Sequence, residues 1–501
     1  MLWTTLWLLV GVGLGTLVLG AGLAWLVTAY EFPGAGFFGW ALVLPLAMPA
    51  YILGFVFLAV FDFAGPVQTF LRGVIGSDAW FPDVRSLPGA AIVLSLTLYP
   101  YVYVLGRAAL RQQVPSSFET ARTLGDGRLR AARRVVLPLI RPALAAGLAI
   151  VMMETLTDFA TVQYFNVDTV SVGVYQVWRG MFNRAVAFEL AALVLGVALI
   201  VIAAERVLRG GLRFYQRGPG RDFERGRLGG WRAAFATTAC GVVLALAVGI
   251  PILQLGAWAV GSTAQVEATR IFETLGNSLG IAVASGVACV GLGLLVAGGA
   301  RLSGSPLALR IRHLATVGYA VPGPVVAMGV LVLIGAATGL ISGSPAVTVV
   351  VSLLGLVYAY TVRFTAVAYG SVDASMEAIT PGVVDAAHTL GSGPGNVLRR
   401  VHLPLARTGA AAGMVLVMVD VLKELPIVLL IRPFGLTTTA VWVWELASES
   451  RWESAAIPAL LIVAVALIPV LVYLRRGKLG EMAAYQTYQP EIETPTPAGV
   501  P

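Results

Sequence analysis

The chain carries one 20-residue pattern twice, and this duplication sets its overall plan. Residues 119–138 read ETARTLGDGRLRAARRVVLP, and residues 385–404 read DAAHTLGSGPGNVLRRVHLP. The two copies align without a gap, 266 residues apart, and share Thr-Leu-Gly, Arg-Arg-Val and Leu-Pro. Each copy is a polar island between apolar stretches. The sequence therefore predicts two equivalent halves, each of which presents one such island.

The composition places both halves in a membrane. Hydrophobic residues make up 58% of the chain and charged residues 12%, whereas soluble domains carry about 25% charged residues. Apolar runs of about 20 residues, long enough for a helix to cross a bilayer, recur along the chain, and a membrane barrel would show short alternating segments instead. We predict an all-α polytopic membrane protein with repeats of five and six spans. The predicted spans are 4–29, 37–62, 88–110, 139–161, 187–207, 234–261, 275–299, 314–340, 345–369, 406–431 and 454–474.

The basic residues indicate the orientation of the repeats. Eight arginines lie between Arg206 and Arg232, and eight more lie between Arg107 and Arg141. Loops rich in Lys and Arg face the cytoplasm, so we interpret the net charge of +8 as a topology signal and expect no nucleic-acid partner. Because the two basic loops face the same side, the repeats are parallel and related by an axis along the membrane normal.

These features divide the chain into four parts. They are a first membrane repeat (1–208), a basic cytoplasmic linker (209–232), a second membrane repeat (233–476) and a disordered cytoplasmic tail (477–501). Counting spans back from the linker places Met1 outside the cell, so we expect that a helix upstream of it is missing. Cys240 and Cys289 both lie in apolar runs, which argues against a disulfide framework or a thiolate metal site.

Each repeated loop carries an acid, a glycine and a proline at matching positions. These residues are Glu119 and Asp385, Gly125 and Gly391, and Pro138 and Pro404. The glycines are expected to end a short helix in the left-handed conformation, and the acids to lie in its first turn, where they complement the helix dipole. The prolines suit the first turn of the membrane helix that follows.

The loop pattern resembles the EAA loop of ABC-importer permease subunits. The residues that match it are Glu119, Ala121, Gly125, Leu137 and Pro138 in the first copy, and Asp385, Ala386, Ala387, Gly391, Leu403 and Pro404 in the second. Thr120 replaces the first alanine of the pattern, and Asp385 replaces its glutamate. The resemblance implies a type I ABC importer permease fold whose loops, at 116–134 and 382–400, dock on two copies of an ATP-binding cassette ATPase subunit.

Other segments are similar to the fused, two-in-one permeases of bacterial ferric-iron importers. They are METLTDFATVQYFNVDT (153–169), DVLKELPIVLLIRPFGLTT (420–438), DFAGPVQT (62–69) and VWELASESRWESAAIPALL (443–461). This resemblance implies a multi-pass protein of the bacterial inner membrane whose C-terminus is cytoplasmic. It also implies ferric iron as the cargo and an extracytoplasmic ferric-iron-binding protein as a partner.

Charged residues inside the predicted spans form a second cluster. Glu154 and Asp158 are four residues apart, Asp420 and Glu424 repeat them at the same offset of 266, and Lys423 lies beside the second pair. A charge at this depth is costly unless it is paired or hydrated. Three interpretations remain open. The acids line a path for a hard cation, for which carboxylates are suitable ligands; Lys423 pairs with acids of the opposite half to close a gate; or all of them hold loops at wet helix ends. No firm metal site is predicted. The tyrosines at 99, 101, 103, 358 and 360 are interpreted as interfacial or packing aromatics, and metal ligands are the alternative.

The chain offers no means of using ATP by itself. Its two lysines, Lys423 and Lys478, do not stand in the G-x-x-x-x-G-K-[ST] setting of a phosphate loop. We therefore expect no cofactor in this chain, with ATP and Mg bound by the partner ATPase. The predicted function is a non-enzymatic pore subunit of an ABC importer for ferric iron. The alternatives are a permease for thiamine or a phosphonate compound, a secondary transporter with parallel repeats, and a non-transporting sensor.

Overall fold

The computed structural model is almost entirely helical. It describes residues 1–75, 81–113, 115–181, 183–209, 225–262, 268–303, 305–340, 344–377 and 381–475. Within these ranges ten helices are long and apolar enough to cross a membrane, or eleven if the bent pair Arg310–Ala320 and Gly323–Gly339 is one span. Five belong to the first half and six, with the bent pair, to the second. The predicted tail and most of the predicted linker lie outside the described residues.

The first half contains eleven α-helices and a short strand. The helices are α1 (Leu2–Ala29), α2 (Ala35–Ala41), α3 (Ala50–Phe61), α4 (Pro66–Ile75), α5 (Leu87–Gln113), α6 (Pro115–Thr123), α7 (Arg128–Ala131), α8 (Leu137–Thr157), α9 (Ala160–Tyr164), α10 (Val170–Arg179) and α11 (Arg184–Arg209). Strand β1 (Tyr30–Glu31) follows α1. A π-helical turn, Ala132–Val136, joins α7 to α8.

The second half contains the remaining twelve helices, after strand β2 (Gly226–Arg227). They are α12 (Gly230–Leu244), α13 (Ile250–Ser262), α14 (Ala268–Ser303), α15 (Pro306–Val317), α16 (Gly323–Leu340), α17 (Pro345–Glu377), α18 (Pro381–Thr389), α19 (Pro394–Val397), α20 (Leu403–Lys423), α21 (Pro426–Ile431), α22 (Thr439–Ser448) and α23 (Trp452–Arg475). π-Helical turns join α12 to α13 and, at Leu398–His402, α19 to α20.

The structure repeats with the sequence. One run of elements occurs twice at an offset of 266 residues. It consists of α6, α7, a π turn and α8 in the first half, and of α18, α19, the π turn Leu398–His402 and α20 in the second. Among the described helices, α12 and α13 are the additional span of the second half. The predicted fold class, an all-α polytopic protein of two repeats, is confirmed.

Two of the predicted continuous spans are broken. The prediction over 37–62 is wrong because the chain forms α2, a 3₁₀ turn at Leu44–Ala47 and α3, with Pro49 extended between them. Its counterpart over 314–340 bends by 113° between Ala320 and Gly323. Proline lacks the amide hydrogen that continues a helix and its ring clashes with the preceding turn, and both breaks contain a proline, Pro49 and Pro322.

Two further predicted spans are too long. Helix α8 ends at Thr157 and α20 ends at Lys423, because Asp158 and Glu424 adopt extended backbone conformations. The predicted spans 139–161 and 406–431 therefore each contain a full membrane helix and part of the short helix after it, α9 or α21. These matched ends fix the positions of the acids discussed below.

The additional span of the second half packs against the first half. Trp258 stacks on Phe55 with ring centroids 6.5 Å apart, and the Thr237 hydroxyl donates a hydrogen bond of 2.9 Å to the carbonyl of Pro33. The end of the linker also contacts the first half, since β2 pairs with β1 in parallel and Arg227 Nε lies 3.3 Å from Glu31 Oε2. The linker thus adds a fixed contact to the tethering that the sequence predicts.

From this packing we expect the covalent link between the halves to be dispensable. A protease site inserted between residues 210 and 224 and then cleaved is expected to leave the two fragments associated, because α12, α13 and the paired strands remain in contact with the first half. Co-elution in mild detergent after complete cleavage is the measurement. Separate elution of the fragments would contradict the expectation, and the uncleaved protein carrying the same insertion is the control.

Candidate functional site: paired loops and a central charged cavity

The repeated loops form two copies of one capped helix. Gly125 follows α6 with φ +95° and Gly391 follows α18 with φ +79°. The amide of Asp126 donates to the carbonyl of Ala121, and that of Ser392 donates to Ala387, each at 3.0 Å. This is the Schellman arrangement, which satisfies carbonyls at a helix end and places glycine in the left-handed region. The prediction for both glycines is confirmed.

The acids of the loops lie elsewhere than predicted. Glu119 is the fifth residue of α6 and Asp385 the fifth of α18, so neither lies in the first turn, because both helices begin earlier, at a proline. Ala121 is buried, whereas Asp385 and Ala386 are exposed and Ala387 is half-buried. The Leu side chains before the glycines are 83% exposed at Leu124 and 85% exposed at Leu390. Each loop therefore presents one exposed leucine at the equivalent position.

The prolines of the loops stand at the start of the membrane helices. Leu137–Pro138 and Leu403–Pro404 begin α8 and α20, as predicted, and all four residues are exposed. The π turns that precede them keep the backbone helical, so the chain is helical without interruption from Arg128 to Thr157 and from Pro394 to Lys423. Each loop is therefore joined directly to one long helix.

The intramembrane charges of both halves meet in one cavity. It has about 120 Å³ of room for water-sized molecules and is lined by all four predicted acids and by Lys423. Glu154 lies 17 residues after Leu137, so the cavity is about 25 Å along α8 from the loop. The loops and the cavity therefore occupy opposite ends of the same two helices.

The lining of the cavity is built from matched positions of the two repeats. At the offset of 266 the pairs are Thr97 and Arg363, Leu98 and Phe364, Glu154 and Asp420, Thr157 and Lys423, Asp158 and Glu424, Phe159 and Leu425, and Ala160 and Pro426. The acids therefore occur in both halves. The two cations of this lining occur in the second half alone, each opposite a threonine of the first half.

The ion pairs of the cavity differ from the predicted gate. Lys423 Nζ lies 2.8 Å from Asp420 Oδ1, one turn away on the same helix, so the proposed pairing of Lys423 with the opposite half is not what the structure contains. Arg363 makes the contact between the halves instead. Its Nη2 lies 3.7 Å from Glu154 Oε1 of the first half, and its Nη1 lies 3.9 Å from Glu424 Oε1 of the second.

Two of the four acids also hold the backbone. Asp158 accepts hydrogen bonds from the amide and hydroxyl of Thr161, at 2.9 and 2.7 Å, at the start of α9. Glu424 accepts a bond of 3.0 Å from the amide of Ile427, at the start of α21. The interpretation that the acids hold loops thus describes this pair, whereas Glu154 and Asp420 make ion pairs inside the cavity.

No prediction from the sequence covers Arg363, Tyr51 or Tyr319, and Tyr101 is interpreted there as an interfacial or packing residue. Arg363 lies within a predicted apolar span, where a single arginine is itself a signal of function. Tyr51, Tyr101 and Tyr319 also line the cavity. By contrast, Tyr99 and Tyr103 donate hydrogen bonds to the carbonyls of Leu42 and Gly39, which fits their predicted packing role. Within the described ranges, no group of three or more His, Cys, Asp or Glu side chains has a geometry that would hold a metal ion.

Both halves of the chain match a known family. Residues 13–210 and 289–477 each match the family described as "Binding-protein-dependent transport system inner membrane component". The chain belongs to this family. The double match confirms that one chain carries two permease domains, and it makes this permease a multi-pass membrane protein of a binding-protein-dependent transport system.

Three relatives indicate the range of cargo in the family. The chain is 25% identical over 471 residues to the Fe(3+)-transport system permease protein FbpB 2 of Haemophilus influenzae, covering 93% of this permease and 88% of the relative. It is 28% identical over 200 residues to the sulfate transport system permease protein CysT of Salmonella typhimurium, covering 38% and 69% of the two chains. A putative 2-aminoethylphosphonate permease, PhnU of Salmonella choleraesuis, is 26% identical over 205 residues, covering 40% and 72%.

Proposed function

We propose that this permease is the pore subunit of an ATP-driven importer of ferric iron. Two copies of a separate ATPase subunit, which bind ATP and Mg, dock on the loops at 116–134 and 382–400. An extracytoplasmic binding protein delivers the ferric ion to the opposite face. The loops then face the cytoplasm, together with the C-terminus, and this chain carries out no covalent chemistry.

The cavity between the halves carries this proposal. Its lining brings together four carboxylates, Glu154, Asp158, Asp420 and Glu424, against two cations, Arg363 and Lys423. Carboxylate and phenol oxygens are hard ligands that suit a hard cation such as ferric iron. A sulfate or phosphonate cargo would instead meet an excess of like charge, which repels it. The extent of the match to the Fe(3+)-transport permease supports the same cargo.

The loops support an ATP-driven mechanism. Two equivalent capped helices, each with an exposed leucine and an unbroken helical connection to a membrane helix, suit a partner that has two equivalent binding surfaces. A secondary transporter with parallel repeats would need no such pair of protein-binding loops. In a secondary transporter the intramembrane acids would carry protons. The test must therefore distinguish transport driven by ATP from transport driven by a proton gradient.

Transport in proteoliposomes tests the proposal. The permease is reconstituted with its ATPase and a saturating ferric-loaded binding protein, and uptake of labelled ferric iron, sulfate and 2-aminoethylphosphonate is compared with ATP or a proton gradient as the energy source. We expect uptake of ferric iron that requires ATP. Uptake of either anion would contradict the cargo, and uptake driven by the gradient without ATP would contradict the class of transporter.

A further inference from the structure

In the part of the cavity that the structure describes, Arg363 forms ion pairs with acids of both repeats. It lies on α17 and is 4% exposed. Its distances of 3.7 Å to Glu154 and 3.9 Å to Glu424 exceed the 2.7–2.9 Å of a strong charge-assisted hydrogen bond. Within the described ranges, its Nε and Nη1 atoms have no hydrogen-bond partner. The guanidinium is thus held by charge and lacks the bidentate hydrogen bonds that would fix it.

The absence of a side chain at Gly323 leaves space for the guanidinium of Arg363. A Cβ atom on Gly323, the first residue of α16, would overlap Arg363 Nη1 and would lie 3.1 Å from Glu424 Oε1. The position equivalent to Arg363 in the first half is Thr97, which also lines the cavity. The unmade hydrogen bonds of the buried Arg363 guanidinium call for an explanation. The fold does not require a charge at this position, because the neutral Thr97 occupies the matching position of the first half.

We propose that Arg363 is a tethered counter-cation that occupies the carboxylates of the cavity until a multivalent cargo cation displaces it, and that it thereby excludes monovalent cations. This inference rests on the proposed function for its cargo. Its ligand class is a hard cation of charge two or more, and its site is the pair Glu154 and Glu424.

Charge decides the competition. A tethered group is present at its site at a high effective concentration, so a free cation of equal charge gains nothing by replacing it. The attraction of a cation for a carboxylate grows in proportion to its charge, so a trivalent ion outcompetes the guanidinium. Because Arg363 must leave Glu154 when the cargo binds, occupancy of the cavity also removes this ion pair between the two halves.

Terbium binding to the purified permease tests this directly. Tb³⁺ is a hard trivalent ion, and the lining tyrosines Tyr51, Tyr101 and Tyr319 are placed to sensitise its luminescence. In the native protein only the fraction of cavities that Arg363 has left free can bind Tb³⁺. Removing Arg363 therefore raises the apparent affinity for Tb³⁺ by the inverse of that fraction. We expect Arg363→Gln to bind Tb³⁺ at least about tenfold more tightly than the native protein. We also expect Na⁺, compared with choline at equal ionic strength, to compete only in the variant.

Three further variants keep the test decisive. Gly323→Ala retains every charge but displaces the guanidinium, so it is expected to shift Tb³⁺ affinity in the same direction, whereas Gly329→Ala on the same helix, with open space around its Cβ position, is expected to have no effect. Arg301→Gln removes an ion pair to Asp373 on α17, 3.0 Å long, outside the cavity, and controls for loss of any buried pair. If Arg363→Gln does not fold, the comparison of Gly323→Ala with Gly329→Ala replaces it.

The outcomes separate this inference from the proposed function. Equal Tb³⁺ affinity in the native protein and Arg363→Gln, or equal competition by Na⁺ in both, would overturn the role of Arg363, whatever the cargo. Failure of the native transporter to take up ferric iron would overturn the cargo alone, because the terbium comparison does not depend on transport. Tighter binding in Arg363→Gln together with sodium competition supports the tethered counter-cation.

Discussion

Replacing Gly125 and Gly391 together by valine is expected to abolish the coupling between ATP hydrolysis and transport. Both glycines have φ values in the left-handed region, +95° and +79°, where an L-residue costs about 1–2 kcal/mol and a β-branched residue is a genuine outlier. The two strained caps together would reduce the population of the native loops at least about tenfold, since about 1.4 kcal/mol corresponds to a factor of ten. The ratio of ferric iron taken up to ATP hydrolysed in proteoliposomes measures the loss.

The same loops provide the control. Gly127 and Gly393 are the equivalent glycines two residues further on, and neither has a positive φ. Valine at both of these positions is expected to leave the ratio close to the native value. A native ratio in the Gly125→Val, Gly391→Val protein would show that the loops do not couple the two activities.

Neutralising the matched acids Glu154→Gln and Asp420→Asn is expected to slow ferric iron uptake at least about tenfold. At an effective dielectric constant of about 20, two unit charges 4 Å apart interact by about 4 kcal/mol. The attraction that a trivalent ion loses with two carboxylates is therefore large compared with the free energy of a tenfold change in rate. Assembly with the ATPase and its basal ATP hydrolysis should persist, because the loops are about 25 Å away. Uptake with a saturating binding protein is the measurement.

Acids outside the cavity control for the change in net charge. Asp62→Asn with Glu449→Gln removes two partly exposed carboxylates, each of which has an arginine partner near the surface. This pair is expected to leave uptake unchanged. Native uptake in the Glu154→Gln, Asp420→Asn protein would contradict the interpretation that the acids form a cation path, and failure to fold would favour structural ion pairs.

Lys423→Met is expected to change the inhibition of uptake by other cations, since it frees Asp420 from its partner.

The sequence predicts the repeated parts of the fold well and the breaks between them poorly. Apolar length and the gapless repeat are local signals, so the number of spans and both glycine caps follow from them. The breaks at Pro49 and Pro322 were missed because proline is tolerated inside membrane helices when neighbouring groups satisfy the freed backbone. Both prolines end matched Ala-x-Pro segments, 47–49 and 320–322, which are 273 residues apart, so the duplication itself indicated them.

The charged cavity shows a different limit. The four acids were predicted from their spacing, but the partner of each was not, because an ion pair between the halves depends on how the helices pack. Lys423 and Asp420 are three residues apart, which on a helix places them on one face, and this local pairing competes with any partner on the opposite half. Asp158 and Glu424 were placed inside helices, so their bonds to the next short helix could not be foreseen.

If the loops bind an ATPase as proposed, the unbroken helices that begin at Arg128 and Pro394 would act mechanically as lever arms. A run of 30 residues from Arg128 to Thr157 is about 45 Å long at a rise of 1.5 Å per residue. A tilt of about 5° about the loop end of such a rod displaces its far end by about 4 Å, which is comparable to the separations between Arg363 and its two acids. Under the proposed mechanism, the π turns would keep each arm in one piece, so that a small rotation at the loops would open or close the charged cavity.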